Sequence, residues 1–172
     1  MEEIYKGKFL HYRKTGNWEW VTRPNDISAA VIAAVTDKKE LILIEQFRVP
    51  MNAPVIELPA GLVGDDGYEG EQSYKAAQRE LEEETGYLAK NFKKVVHGPV
   101  SAGMSDEAND LYIAWDLDKV SEGGGVDDEE IITHLVPFEE LHSFISKKQA
   151  EGCALDLKVF VGVYFLQKEG LI

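Results

Sequence analysis

The sequence predicts an α/β fold: an α/β/α sandwich in which a mixed β-sheet lies between helices, with an N-terminal antiparallel hairpin added to it. Three observations predict this class. The runs Ile27–Val35 and Leu41–Phe47 have strand length and almost no polar alternation, the signature of strands buried on both faces. Segments with helical spacing of apolar residues stand before and after further strand-like segments, and a layered arrangement buries both kinds. At 172 residues the chain suits one domain, which at this size buries roughly 70% of the surface of its unfolded chain.

The elements follow in order. Tyr5–Lys14 and Trp18–Arg23, joined by Thr15-Gly16-Asn17 and closed by Pro24, read as the hairpin. Ile27–Val35 and Leu41–Phe47 flank the polar turn Thr36–Glu40, and Val55–Leu58 is a further short strand. A loop over Gly61–Gln72 leads to a helix over Ser73–Thr85, which Gly86 ends at the position where the backbone turns left-handed. Phe92–His97 and Leu111–Trp115 read as strands around a second long loop, Gly98–Asp110, rich in turn residues. Ile131–Val136 is the last strand. Pro137 opens a helix over Phe138–Gln149 with Leu141, Phe144 and Ile145 on one face, and a helix over Ala154–Lys168 is expected to pack Leu157, Phe160, Val161, Tyr164 and Phe165.

Composition narrows the function. Eighteen Lys plus Arg against 31 Asp plus Glu give a net charge of −13, which excludes generic affinity for nucleic acid or an anionic membrane. No apolar run approaches the ~18 residues that span a bilayer. The acidic start, Met1-Glu2-Glu3, is not followed by an apolar core, so no signal peptide is expected and a cytoplasmic location is the default. The single cysteine, Cys153, allows neither an internal disulfide nor a cysteine zinc site and reads as a small buried residue. His11, His97, His134 and His142 have no local ligand spacing, and Ser101 and Ser105 lack the G-x-S-x-G elbow of serine hydrolases.

The helix over Ser73–Thr85 carries the chemistry. With about 100° per residue and Glu80 at zero, Glu84 falls near roughly +40° and Glu83 near −60°, while Glu82 lies at about 200° on the far side. Three carboxylates thus share one arc. Like charges at this spacing cost an exposed helix about 0.2–0.5 kcal/mol per pair, and more when partly desolvated. A divalent cation removes that repulsion, and an oxygen-only donor set suits Mg²⁺ or Mn²⁺ better than zinc. Arg79, four residues before Glu83, is placed to brace that carboxylate.

These residues resemble the Nudix hydrolases, whose box reads G-x5-E-x7-R-E-U-x-E-E-x-G-U with U apolar or aromatic. Glu71, Arg79, Glu80, Leu81, Glu83, Glu84, Gly86 and Tyr87 match it in register. The first glycine does not, since Asp65 stands there; Gly61, which ends Glu57-Leu58-Pro59-Ala60-Gly61, is its counterpart, with Gly64 as the alternative. Ile44–Arg48, Ser101–Glu107 and Gly123–Glu130 also resemble segments of the branch that hydrolyses ADP-ribose and nucleoside diphosphate sugars.

The resemblance implies metal binding by Glu80, Glu83, Glu84 and the backbone carbonyl of Ala60. It assigns substrate contacts to Trp18, Arg23, Arg48, Glu57, Met104, Asp156 and Lys158, and catalytic roles to Glu83, Arg79 and Glu129. Trp18 either stacks a base or packs in a subunit interface. Residues 1–24 become strands exchanged between the subunits of a homodimer, with residues 25–172 as the catalytic core of one domain over 1–172. Asp156-Leu157-Lys158 resembles the Asp-x-Lys pattern of the nucleoside diphosphate sugar hydrolases, which makes those sugars the expected substrates, with ADP-ribose as the alternative and a non-catalytic nucleotide-sugar sensor as a third reading. The base that deprotonates water is expected among Asp127, Asp128, Glu129 and Glu130, with Glu107 as rival. Glu129 is preferred because Gly123–Gly125 supplies a hinge for a mobile loop.

Overall fold

In the computed structural model of the chain, the described residues are 1–24, 27–64, 68, 70–126 and 130–172. The N-terminal strands β1 (Glu2–Lys6), β2 (His11–Thr15) and β3 (Trp18–Thr22) form an antiparallel sheet of their own in the order β1-β2-β3. The expected hairpin is therefore three strands. A turn in which Gly7 N–H donates to Leu10 C=O at 2.9 Å splits the segment read as one strand. Such a turn leaves no trace in a pattern of alternation.

The core contains two mixed four-stranded sheets where one was expected. One sheet runs β7 (Ala60–Leu62), β4 (Ala29–Ala34), β9 (Ala108–Lys119), β8 (Tyr87–Pro99), with β4 and β9 parallel. The other runs β10 (Ile131–Pro137), β5 (Glu40–Arg48), β6 (Ala53–Glu57), β11 (Ala154–Leu155), with β6 and β11 parallel. The helices are α1 (Ser73–Thr85), α2 (Leu141–Ala150) and α3 (Lys158–Lys168).

The period of two in β4 explains the layering. Ala30, Ile32 and Ala34 face Ala76, Ala77 and Leu81 of α1, while Val31 and Ala33 face Leu58, Val159 and Leu166 on the other side. With both faces covered, β4 has no polar alternation to show. The observed β8 and β9 are longer than their apolar centres because their outer ends pair as a solvated ribbon, from Tyr87↔Lys119 to Pro99↔Ala108. Among the described residues no helix is long and apolar enough to cross a membrane.

The face of α3 differs from expectation. Val159, Gly162 and Leu166 are buried, whereas Leu157 is 75% exposed and Phe160, Val161 and Tyr164 are also exposed. Gly162 is the reason: a Cβ there would lie 2.7 Å from Ala33 Cβ and 2.9 Å from Leu58 Cδ1, so the helix is seated on the sheet at its smallest residue. The helix also begins later than expected, because Ala154–Leu155 joins β6 as a strand.

On the β5 face opposite Arg48, Glu45 Oε2 accepts hydrogen bonds from Lys148 Nζ at 2.8 Å and His134 Nε2 at 2.9 Å. Burial alone would push the Glu45 carboxyl up, but these donors hold it below its usual range. A depressed folded value adds stability that is present above the unfolded value and lost as pH falls through the folded one. Glu45→Gln is thus expected to cost roughly 1.5–3 kcal/mol at neutral pH, the range for hydrogen bonds to a charged group. The penalty should shrink as pH falls through the ordinary glutamate range toward the depressed folded value, because the unfolded chain takes up the proton first. Urea midpoints at pH 7 and pH 3 test this; the same loss at both contradicts it.

Candidate active site

Helix α1 meets the cleft along the arc of Glu80, Glu83 and Glu84. One side of the helix is fixed by the fully buried Ala76, Ala77 and Leu81. Its end is fixed by Gly86 at φ 73°, whose N–H donates to Glu82 C=O. Arg79 gathers the acids. Its Nη1 donates to Glu80 Oε1 at 2.7 Å and Glu83 Oε2 at 2.9 Å, and its Nε and Nη2 reach the Glu71 carboxylate at 3.3 and 3.1 Å. Burial pulls the guanidinium down, but these carboxylates outweigh it and hold Arg79 charged. Tyr68 lies 4.3 Å from Arg79 Cζ, ring against guanidinium. Glu84, only 3% exposed, accepts the Ala60 N–H at 3.0 Å.

The strand β7 is what allows this closeness. A Cβ on Gly61 would lie 1.9 Å from the Glu80 carboxylate, so the glycine leaves a cradle that the carboxylate fills. Among the described residues no three His, Cys, Asp or Glu side chains stand ready to hold a metal ion. Glu71, Glu80 and Glu83 instead converge on the guanidinium of Arg79.

The other wall comes from the second sheet. Arg48 Nε and Nη2 hold both oxygens of Glu57 at 2.7 and 2.8 Å, a bidentate pair on β5 and β6. Asp156 N–H donates to Ile56 C=O at 2.9 Å, continuing β11 along β6 and bringing Asp156 beside that pair. Asp156 Oδ1 accepts the Lys158 N–H at 2.8 Å, and Oδ2 pairs with Lys158 Nζ. Asp156 thus stands ahead of α3 rather than on its surface. The cleft between these walls has a volume of about 1020 Å³ and also takes in Arg23 and Glu107, paired at 3.0 Å.

Not every expected residue converges here. Trp18, 71% exposed, lines a separate hollow of about 390 Å³ with Trp20 and Asp106. Met104 is 62% exposed and meets β3 through its backbone, where its carbonyl accepts the Val21 N–H at 3.0 Å. Asp127, Asp128 and Glu129 lie outside the described residues, and Glu130 is exposed. Gly123–Gly125 is not a free hinge. Gly124 N–H donates to Glu84 C=O at 2.9 Å and Gly125 N–H to Glu83 C=O at 3.0 Å, while a Cβ on Gly123 would strike the Thr85 and Gly86 backbone at 2.5 and 2.6 Å. The run itself docks onto the last turn of α1, satisfying carbonyls that a helix end leaves open.

Three polar residues of the cleft are absent from the expected site: Gln46, Tyr68 and Asn109. Gln46 had a signal, since it stands two residues before Arg48 on the same strand face. Tyr68 is the one aromatic in the sequence Gly61–Gln72. Asn109 had none, as only the pairing of β9 with β4 places it.

The NUDIX domain model matches residues 26–155, a span that includes α1, β7 and both walls up to Leu155. The chain is 30% identical to an ADP-ribose pyrophosphatase of Bacillus subtilis (strain 168), over 99% of this chain and 92% of that protein. It is 35% identical to a GDP-mannose pyrophosphatase of Cronobacter sakazakii, over 84% of this chain and 75% of that one. It is 28% identical to a methanol dehydrogenase activator of Bacillus methanolicus, over 96% and 89% of the two chains. In fold it is similar to a crystal structure described as an ADP compounds hydrolase, with a TM-score of 0.73, 20% identity, and coverage of 99% of this chain and 94% of the other. With the box in register on α1 and the domain model spanning most of the sequence, the chain belongs to the Nudix hydrolase family.

Proposed function

We propose that the protein hydrolyses the pyrophosphate bond of nucleoside diphosphate sugars to a nucleoside monophosphate and a sugar 1-phosphate, with Mg²⁺ as its cation and Mn²⁺ as substitute. One observation carries this reading: a single cleft sets the carboxylates of α1 against Arg48 and Lys158 on the facing sheet. Hydrolysis of a phosphoanhydride consists largely of positioning water and neutralising phosphoryl charge, and such a pair of walls serves both needs.

Glu80, Glu83, Glu84 and the Ala60 carbonyl would hold the cation, and their oxygen-only donor set suits it. When bound, the cation neutralises phosphoryl oxygens and acidifies a water. Arg79 orients Glu80 and Glu83 and keeps them from repelling each other. Arg48, steadied by Glu57, and Lys158, steadied by Asp156, take phosphate and sugar oxygens. Arg23, which lines the cleft, contributes the nucleoside end. Glu129 accepts the proton of the attacking water; its rival Glu107 is engaged by Arg23. Glu129→Gln is expected to lower kcat about 10²–10⁴-fold at unchanged cation affinity, and undiminished turnover moves the role to another loop acid.

A homodimer with exchanged N-terminal strands accounts for the exposure of Ile4, Tyr5 and Trp18 on the N-terminal sheet and of Phe9 in the turn between β1 and β2. Trp18, outside the cleft of its own chain, would then complete the site of its partner. A second reading, hydrolysis of ADP-ribose to AMP and ribose 5-phosphate, is favoured by the Bacillus subtilis relative, which aligns over 99% of the chain.

The deciding experiment is a panel of ADP-ribose, ADP-glucose, UDP-sugars, GDP-mannose, dinucleoside polyphosphates and nucleoside triphosphates, assayed with Mg²⁺ or Mn²⁺. Release of sugar 1-phosphate is the expected result. Preference for ADP-ribose over every sugar nucleotide selects the second reading, and no phosphomonoester from any of them defeats both.

A further inference from the structure

We infer that Glu45 and Lys148 are positioning residues: their ion pair, on the face of the sheet away from the cleft, holds the two-residue strand β11 in register and so places Asp156 and Lys158 against the substrate. This rests on the nucleotide-hydrolase reading of the cleft, since it deepens the role given there to Lys158.

The register connects the two faces. Glu45 pairs with Ile56, and Ile56 with Leu155, so these three residues form one row across β5, β6 and β11. The neighbouring row, Gln46, Val55 and Ala154, lines the cleft, as do Glu57 and Asp156 two residues further along their chains. Side chains alternate between faces, so Glu45 and Leu155 stand opposite Asp156. A slip of β11 by one residue would turn Asp156 out of the cleft. As an edge strand of two residues beside β6, β11 has little pairing of its own to resist that slip.

The constraint comes from α2. Lys148 Nζ donates to Glu45 Oε2 at 2.8 Å, and the two side chains are only 18% and 14% exposed. The Lys148 carbonyl accepts the N–H of Cys153, the residue just before β11, at 3.0 Å, and Cys153 Sγ lies 3.8 Å from Glu45 Oε1. Lys148 therefore ties the entry of β11 to a side chain in the row that β11 joins. At the exit, Asp156 N–H donates to Ile56 C=O and Asp156 Oδ1 accepts the Lys158 N–H, which passes the register on to the first turn of α3. His134 also holds Glu45, but it belongs to β10, which a seven-residue ladder already fixes to β5. Glu151, 3.7 Å from Lys148 and more exposed, is the weaker partner of that lysine.

Two measurements on the full chain test this. Amide hydrogen exchange followed by NMR reports on Asp156 N–H, with Gly124 N–H, held by Glu84 C=O at the end of α1, as the reference. Lys148→Met is expected to speed exchange at Asp156 about tenfold, the loss of one stabilising contact, without changing Gly124. Lys148→Arg should restore protection, and Lys148→Gln replaces the methionine variant if that one melts early. Phosphomonoester release from the best substrate of the panel should show KM raised about tenfold, with kcat and the half-saturating Mg²⁺ within about twofold of wild type. In a Lys158→Ala background the same substitution should raise KM no further, because the two act through one group. A loss of folded protein alone would lower kcat and leave KM as it was.

Unchanged protection of Asp156 in Lys148→Met overturns the inference. So does lost protection with an unchanged KM, or with an equal further rise in the Lys158→Ala background. Lost protection in a protein that releases no phosphomonoester, wild type included, removes the hydrolase reading and leaves the hold on β11 standing.

Discussion

Replacing Gly61 by alanine is expected to lower turnover about 100-fold, the effect of displacing a catalytic group by roughly 1 Å, while the melting temperature barely moves. The added Cβ would lie 1.9 Å from the Glu80 carboxylate, far inside contact distance. What it meets is the end of a flexible side chain. Glu80 can rotate away, so the fold survives and the loss falls on the position of the carboxylate. A Cβ at Gly86 or Gly123 meets backbone atoms instead, which cannot step aside. The prediction therefore separates two kinds of glycine in one site. Steady-state kinetics together with thermal melting decide it: a large drop in melting temperature with normal turnover per folded molecule would show that Gly61 serves the fold rather than Glu80.

The same contrast explains which parts of the molecule could be read in the sequence. Helix α1 could be read to the residue, because Ala76, Ala77 and Leu81 mark its buried face and Gly86 stops it. All of that information is local. The Arg79–Glu83 pair is also local, at a spacing of four, and was expected; the reach of Arg79 to Glu71 depends on how the preceding loop returns. By contrast, α3 carries a stripe of large apolar residues that points away from the core. The face that packs is set by Gly162, and a glycine contributes nothing to an apolar pattern.

Short pairings account for the remaining differences. β7 and β11 have three and two residues, and their existence depends on backbone partners far away in sequence. Both matter to the site. β7 brings Ala60 and Gly61 under α1, and β11 brings Asp156 beside Glu57. The glycine run Gly123–Gly125 suggests freedom in the sequence, whereas the structure shows attachment. Glycine permits both, since the lack of a Cβ allows unusual torsions and close approach alike, and only the partner atoms on α1 distinguish the two.

Glu84→Gln is expected to lower kcat about 10³-fold, because a charge that helps to neutralise a phosphoryl group through a cation is worth several kcal/mol. Stability should hold or rise. Glu84 is 3% exposed, and its carboxylate accepts the Ala60 N–H at 3.0 Å. The glutamine carbonyl can accept that same bond, and a neutral amide is cheaper to bury than a carboxylate. The variant thus removes charge without removing shape. Glu82 provides the control on the same helix, since it is exposed and points to the far side. Glu82→Gln should leave kcat within about twofold, as surface substitutions away from such features do little. The two variants are compared for kcat, for the concentration of Mg²⁺ giving half-maximal rate, and for melting temperature. If Glu84→Gln retains more than about a tenth of wild-type activity, less than ~1.4 kcal/mol depends on that charge, and Glu84 is not among the groups that hold the cation.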